Sequence, residues 1–249
     1  MARLVYTAIA VVFAAAIAIA SPAARERHAP PAAHPYVLLI HGGSWYRTDR
    51  AMVARVEANR PRLHAWGYAT DLVRWRPRRS AFPDVLAAYD RLRRRVGAAT
   101  PICAWGQSAG AHMALMLAIR RPGVACVVSE AAPTELSRLP ANLLRRAHEA
   151  FGNGLARRSP AFYRLLTPAL LEHATNDRLI PFGQLAAMRC AAPHSEALVL
   201  SPGSAPWIHS RVDPRQLAHA PVVEQRFLRA AVERWRRDGP SPPARYAGP

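Results

Sequence analysis

Short apolar runs recur along the chain, and most contain five or six residues rich in valine, leucine, isoleucine and alanine. Six of them are predicted to be strands, at residues 36–40, 68–73, 101–105, 124–129, 169–174 and 196–201. Runs without polar alternation are typical of strands that are buried on both faces of a parallel sheet.

Between these runs, apolar residues recur at the three- and four-residue spacing of a helix. Helices are predicted at residues 82–96, 109–119 and 220–236, with a less regular one at 52–66. Pro83 and Asp84 favour a helix start at the first of these, whereas Pro61 interrupts the irregular one. Strands that alternate with helices predict an α/β fold with a mostly parallel central sheet and helices on both faces.

The two ends of the chain differ from this middle part. Residues 1–24 contain one arginine, an apolar run and then small residues, which is typical of a secretory signal peptide. The apolar run is slightly shorter than the roughly 20 residues that span a bilayer, so export with cleavage is preferred over an uncleaved N-terminal anchor. Residues 25–35 are predicted to be a Pro/Ala linker, and residues 239–249 a disordered tail. The domain is expected at 36–238, with a lid insertion at 133–168.

The stretch Gly106-Gln107-Ser108-Ala109-Gly110 joins a predicted strand to a predicted helix. A sharp strand-to-helix turn with small flanking residues exposes its central side chain above the sheet, and this is the G-x-S-x-G nucleophile elbow. The pattern therefore predicts Ser108 as a nucleophile.

A serine nucleophile needs a base, and the base needs an orienting acid; in this architecture both come later in the chain. Asp177 follows a predicted strand and is the preferred acid over Asp213 and Asp238, which do not. His209 lies between the last strand and the last helix and is the preferred base. The alternatives are His219, close to the last helix, and His194, which precedes its strand.

The stretch His41-Gly42-Gly43-Ser44-Trp45 directly follows the first strand. Two glycines at such a turn let backbone amides point at a substrate oxygen. The amides of Gly43, Ser44 and Ala109 are the predicted oxyanion hole, and His41 is expected to hold the loop by hydrogen bonds. Trp45 and Gln107 are candidate substrate-pocket residues, with packing in the core as the alternative for Trp45.

Taken together, these motifs resemble the esterase/lipase group of α/β-hydrolases, similar to hormone-sensitive-lipase-like and feruloyl-esterase-like carboxylesterases with a His-Gly-Gly oxyanion loop. The resemblance implies a serine hydrolase that uses no cofactor, with Ser108, Asp177 and His209 as its triad. This sequence departs from relatives in three places: Trp75-Arg76 after a strand, His173-Ala174 before the acid, and Ile208 where glycine often precedes the histidine.

Composition bears on partners rather than on the fold. The formal charge is +18, from 34 basic and 16 acidic residues, and the sequence contains no lysine. A solvated arginine-rich surface is the preferred interpretation, with weak association with anionic membranes as the alternative. No zinc-finger spacing or aromatic RNA-binding motif is present, so no specific nucleic-acid or metal site is predicted.

The cysteines Cys103, Cys126 and Cys190 are too few and too widely spaced for a disulfide framework, although a single bridge is left open.

The sequence thus predicts an exported serine carboxylesterase that cleaves small to medium esters through an acyl-enzyme. An arylformamidase, amidase or peptidase of the same fold is one alternative, and a non-catalytic exported binding protein is another. The sequence gives no oligomeric state.

Overall fold

The computed structural model describes residues 34–249. Its strands are β1 (Tyr36–Ile40), β2 (Ala69–Val73), β3 (Ile102–Gln107), β4 (Val124–Glu130), β5 (Tyr163–Arg164), β6 (Ala169–Ala174), β7 (Ser195–Leu200), β8 (Pro202–Trp207), β9 (Ser210–Val212) and β10 (Arg245–Tyr246). Its α-helices are α1 (Arg50–Glu57), α2 (Arg60–Ala65), α3 (Ala81–Val96), α4 (Ala109–Arg120), α5 (Ala141–Phe151), α6 (Gly183–Ala191) and α7 (Pro214–Asp238).

Six strands form one sheet in the order β2-β1-β3-β4-β6-β7, and every neighbouring pair is parallel. These are the six apolar runs predicted from the sequence. The α/β fold with a parallel sheet is therefore confirmed. Because parallel strands end at a common edge, the loops after β1, β3, β6 and β7 are brought together.

Both faces of the sheet are covered by helices, as predicted. Side chains alternate along each strand, so Leu38 and Ile40 of β1 enter one core while Val37 and Leu39 enter the other. The first core packs against α3, α4, α5 and α6, and the second against α1, α2 and α7.

Two helices differ from their predicted bounds. The irregular helix at 52–66 is divided into α1 and α2, and Pro61 occupies the first turn of α2, where its missing amide has no cost. The last helix begins at Pro214 rather than at residue 220, because the Asp213 side chain caps it by accepting a hydrogen bond from the Arg215 amide.

The predicted lid region, residues 133–168, contains α5, three short 3-10 turns and β5. It is tied to the domain by the side chain of Gln184, whose Oε1 accepts hydrogen bonds of 2.7 Å from the amides of Thr134 and Glu135. Leu143 of α5 is buried in the first core. This region is packed onto the domain along much of its length.

The C-terminal tail was predicted to be disordered, and the structure corrects this. Strand β10 pairs antiparallel with β5, and the Ala247 amide donates to the Phe162 carbonyl at 2.8 Å. The ring of Tyr246 packs against Tyr163 at 5.1 Å between centroids. One aromatic anchor therefore orders a segment whose proline and glycine content indicated disorder.

Cys103 and Cys126 form a disulfide between the adjacent strands β3 and β4, while Cys190 is exposed and unpaired. The single bridge that the sequence left open is therefore present.

The predicted leader, residues 1–24, and most of the predicted linker lie outside the described residues. From residue 34 onward, no helix has the length and apolar character needed to cross a membrane.

Candidate active site

Ser108 lies at the turn between β3 and α4 with φ +54° and ψ −121°, a conformation that is strained for a residue with a side chain. The flanking glycines make the turn possible. A Cβ on Gly106 would lie 2.2 Å from the Gly110 carbonyl oxygen, and one on Gly110 would lie 2.1 Å from the Ile40 carbonyl oxygen. The strand and helix thus approach at a distance that only glycine allows, which is the reason for the G-x-S-x-G pattern.

The loops after β6 and β8 bring Asp177 and His209 together. His209 Nδ1 donates to Asp177 Oδ2 at 3.0 Å, and Asp177 Oδ1 accepts from the amides of Leu179 and Ile180 at 2.9 Å each. Burial alone would raise the pKa of the Asp177 carboxyl, but the hydrogen bonds from His209 and the two amides outweigh it and lower that pKa. Asp177 is therefore a carboxylate at neutral pH, and it fixes the ring so that Nε2 is its free nitrogen.

Ser108 and His209 line the same cavity, whose volume is about 240 Å³. Among residues 34–249, no hydrogen bond joins the Ser108 hydroxyl to the His209 ring. Hydrogen bonds between a nucleophile and its base are often long without substrate and tighten only in the substrate complex.

Gly43 and Ser44 line this cavity, directly after β1. Three successive residues have positive φ: Gly43 at 130°, Ser44 at 51° and Trp45 at 57°. The Gly43 carbonyl accepts hydrogen bonds of 2.9 Å from the amides of Tyr46 and Arg47, which closes the turn. Ala109 follows Ser108 as the first residue of α4, so its amide has no acceptor within the helix.

Of the two roles expected for Trp45, the structure shows packing, since Trp45 does not line the cavity. Its side chain is 1% exposed, and its Nε1 donates to His112 Nδ1 at 3.1 Å. The ring packs edge-on against Phe151 of α5. The large apolar surface of Trp45 therefore anchors the glycine loop in the core. Gln107 does line the cavity.

His41 stacks on Trp75 at 4.6 Å between ring centroids, and its Nδ1 is 2.8 Å from the Gly42 carbonyl. Burial lowers the pKa of His41, so the ring is neutral and Nδ1 carries the donated proton. Its position and bonding agree with the expected role of holding the loop. Trp75 is one of the residues at which this sequence departs from the esterases it resembles, and its ring is the one that stacks against His41.

The less favoured candidates for the base and the acid lie elsewhere. His219 is on the exposed side of α7, and His194 precedes β7 at the opposite edge of the sheet. Asp213 caps α7, and Asp238 ends it. None of these four residues lines the Ser108 cavity.

Sequence reasoning missed a group of buried carboxylates beside this site. Glu130 and Glu172 are paired across β4 and β6, and Glu224 of α7 approaches the same side of the sheet. They line a larger cavity of about 890 Å³ that also includes His209. The sequence signal was a glutamate inside the apolar run 169–174, Glu172, and another directly after the run 124–129, Glu130.

Burial raises the pKa of all three glutamates, that of Glu172 well above its usual value and that of Glu224 to about 8. Arg62 opposes the shift at Glu224 through a salt bridge of 3.0 Å. Within the described residues this is the one group of three acidic, histidine or cysteine side chains whose ligand atoms lie within 4.8 Å of one another. These carboxylates are therefore the residues whose spacing could accommodate a metal ion.

Solved structures with the same architecture provide an independent comparison. An esterase/lipase from an uncultured bacterium has a TM-score of 0.62 at 15% identity, over 82% of this chain and 78% of its own. An acetyl ester-xyloside bifunctional hydrolase from Caldicellulosiruptor lactoaceticus has a TM-score of 0.58 at 15% identity, over 82% and 83%. The Pyrococcus furiosus esterase Pf2001 has a TM-score of 0.58 at 16% identity, over 79% and 81%.

No protein-family model matches the sequence, and a search of curated proteins gives no match. At these identities the structural likeness establishes the fold, and the chain has the α/β-hydrolase fold. The three neighbours described above are esterases or hydrolases.

Proposed function

We propose that this protein is a serine hydrolase that cleaves carboxylic esters through an acyl-enzyme. The observation that carries the proposal is the arrangement of a strained serine at a nucleophile elbow, lining one cavity with a histidine whose other ring nitrogen is bonded to a buried carboxylate. The esterase neighbours support the ester class.

In the proposed reaction, Ser108 Oγ attacks the ester carbonyl carbon while His209 Nε2 takes the hydroxyl proton. The bond to the alcohol oxygen then breaks, and the imidazolium returns the proton to that oxygen as the alcohol leaves. Water attacks the acyl-enzyme by the same route, giving the acid and free Ser108. Asp177 holds the tautomer and stabilises the imidazolium without accepting the proton.

The tetrahedral intermediate carries its negative charge on the former carbonyl oxygen. The amides of Gly43 and Ala109, with that of Ser44 as an additional donor, are the proposed oxyanion hole. The positive φ values of the glycine loop and the first position of α4 leave these donors without the usual helix or strand partners. Removing one such donor typically costs about 10² to 10³ in rate.

The direct test is Ser108→Ala assayed on p-nitrophenyl butyrate. Because the hydroxyl is the only proposed nucleophile, turnover should fall to the uncatalysed rate plus the small acceleration that the oxyanion hole alone provides. The melting temperature should not change. Exposed Ser201→Ala is the matched control and should retain wild-type turnover. Wild-type rates in Ser108→Ala would refute the proposal.

We also propose that the protein is exported. The leader-like residues 1–24 support this, and so does the Cys103–Cys126 disulfide, because such bridges persist in oxidising compartments. Fractionation of expressing cells tests it: the mature chain is expected outside the cytoplasm, and recovery only in the cytoplasm would contradict it.

A further inference from the structure

The cavity that contains Ser108 is lined by three arginines and by no acidic residue. Arg47 comes from the loop after the glycine turn, Arg55 from α1 and Arg146 from α5. We propose that the preferred substrates are esters that carry an anionic group, a carboxylate or a similar oxyanion, close to the scissile bond. This inference rests on the proposed function, since it names the substrate class of the same site.

In the part of the chain from residue 34 onward, none of the three guanidinium groups forms an ion pair, whereas Arg76, Arg95 and Arg121 each pair with an aspartate. Arg55 donates to the Ile208 carbonyl at 3.0 Å, and Arg146 stacks on Tyr46 at 5.8 Å. Neither contact is with a carboxylate. Arg55 also borders the larger cavity, where it interacts electrostatically with the buried Glu130.

The acidic residues closest along the chain to these arginines are Asp49, Glu57 and Glu149. The Asp49 side chain accepts from the Met52 amide at the start of α1, Glu57 pairs with Arg60 at 3.2 Å, and Glu149 is exposed and does not line the cavity. An anionic substrate group would therefore meet three positive charges in a cavity that no carboxylate lines. Charge-assisted hydrogen bonds from guanidinium groups to oxyanions are stronger than hydrogen bonds between neutral groups.

The positions of the arginines suit substrate selection. They belong to three separate elements around a cavity of about 240 Å³, so an ester bound at Ser108 lies within the same small space as all three. Guanidinium groups bind oxyanions in a planar, bidentate manner. A neutral ester of equal length gains none of these contacts, so the arrangement favours the charged substrate in kcat/KM.

The test compares matched ester pairs on the wild type and on the double variant Arg47→Gln/Arg146→Gln. One pair differs on the acyl side, mono-p-nitrophenyl adipate against p-nitrophenyl hexanoate. The other differs on the alcohol side, 4-acetoxybenzoate against phenyl acetate. The readout is the ratio of kcat/KM for the anionic ester to kcat/KM for the neutral ester. This ratio is compared between each variant and the wild type, so that the intrinsic reactivity of the esters cancels. Arg55 is left intact because it also holds the loop before His209.

The control is Arg145→Gln/Arg189→Gln, which changes the net charge equally at two exposed arginines outside the cavity. We expect the ratio to fall about 10-fold or more in the cavity variant for at least one pair, and to change little in the control. The pair that responds shows whether the anion belongs to the acyl or the alcohol part. Raising the ionic strength should lower the wild-type ratio.

Equal ratios in the wild type and the cavity variant for both pairs would overturn the inference, as would an equal fall in the control. In either case, Ser108-dependent hydrolysis of the neutral esters would leave the proposed function standing. If no ester is cleaved by the wild type, the proposed function fails first.

Discussion

The carboxylate of Asp177 is bonded through both of its oxygens, one to His209 and the other to two backbone amides. The amide bonds fix the carboxylate, and the carboxylate fixes the ring. Because the two oxygens have different roles, a single substitution at Asp177 can disturb the orientation of the His209 ring without disturbing the fold.

Asp177→Asn should keep the fold and lose most of the activity. The asparagine Oδ1 can still accept from the amides of Leu179 and Ile180, whereas its Nδ2 would favour the wrong His209 tautomer. We expect kcat on p-nitrophenyl butyrate to fall about 10³- to 10⁴-fold with little change in the melting temperature. Asp213→Asn is the matched control, because asparagine caps a helix as well as aspartate does. A kcat within 10-fold of the wild type in Asp177→Asn would contradict the assigned role.

At the residue scale, the sequence predicted side chains that belong to a motif but not those defined by packing. Ser108 and Gly43 follow from local spacing, because the turn chemistry is local. The choice between pocket and core for Trp45 stayed open, because the sequence does not show which way a side chain turns. Ile208 lies where the esterases that this sequence resembles often have glycine before the histidine. Its φ of +32° is a backbone conformation that favours glycine, so this conformation is present although the residue is isoleucine.

At the scale of elements, buried strands were predictable because burial on both faces demands an unbroken apolar run. The six runs gave all six strands of the main sheet. The limits of α7 and the pairing of β10 were not predictable, since they depend on the Asp213 cap and on a contact between Tyr163 and Tyr246 that are distant in the sequence. The close approach of α4 to β1 also depends on one residue, Gly110.

Gly110→Ala should prevent this approach. The added Cβ would lie 2.1 Å from the Ile40 carbonyl oxygen, and both groups belong to rigid elements that cannot move apart without disturbing the core. We expect a loss of about 3 kcal/mol or more in the free energy of unfolding, or no folded protein.

The control for Gly110→Ala is Gly154→Ala, where a Cβ meets no atom within 4 Å. Urea unfolding of both variants measures the difference. Equal midpoints for the two variants would show that α4 and β1 are not in close contact.

At the scale of the whole molecule, the fold brings buried acidic groups together at one edge of the sheet. Glu130, Glu172 and Glu224 come from β4, β6 and α7, and only the tertiary structure brings them together. Their raised pKa values mean that the folded state binds protons more tightly than the unfolded chain does. The contribution of these glutamates to stability should therefore be greatest at acidic pH and should fall as the pH rises from about 4.5 towards about 8, the usual and the folded values for Glu224. The buried rings of His41, His112 and His173 act in the opposite direction, because burial lowers their pKa values and protonation at acidic pH destabilises the fold.

Glu172→Gln should weaken this pH dependence. The amide resembles the protonated acid, so at pH 5 the variant and the wild type should have similar free energies of unfolding. At pH 9 the variant should be more stable than the wild type. The wild type must either ionise a buried carboxyl or keep it protonated at a pH where the unfolded chain releases that proton. Denaturant unfolding at both pH values measures this, with exposed Glu149→Gln as control. Equal stability of Glu172→Gln and the wild type at pH 9 would contradict the account.

The central claim is that Ser108 is a nucleophile activated by His209. A fluorophosphonate probe reacts covalently with such a serine, and peptide mapping by mass spectrometry locates the adduct. We expect one adduct on Ser108, which should be lost in Ser108→Ala and should form much more slowly in His209→Ala. Absence of labelling in the folded wild-type protein, or an adduct on another serine, would contradict it.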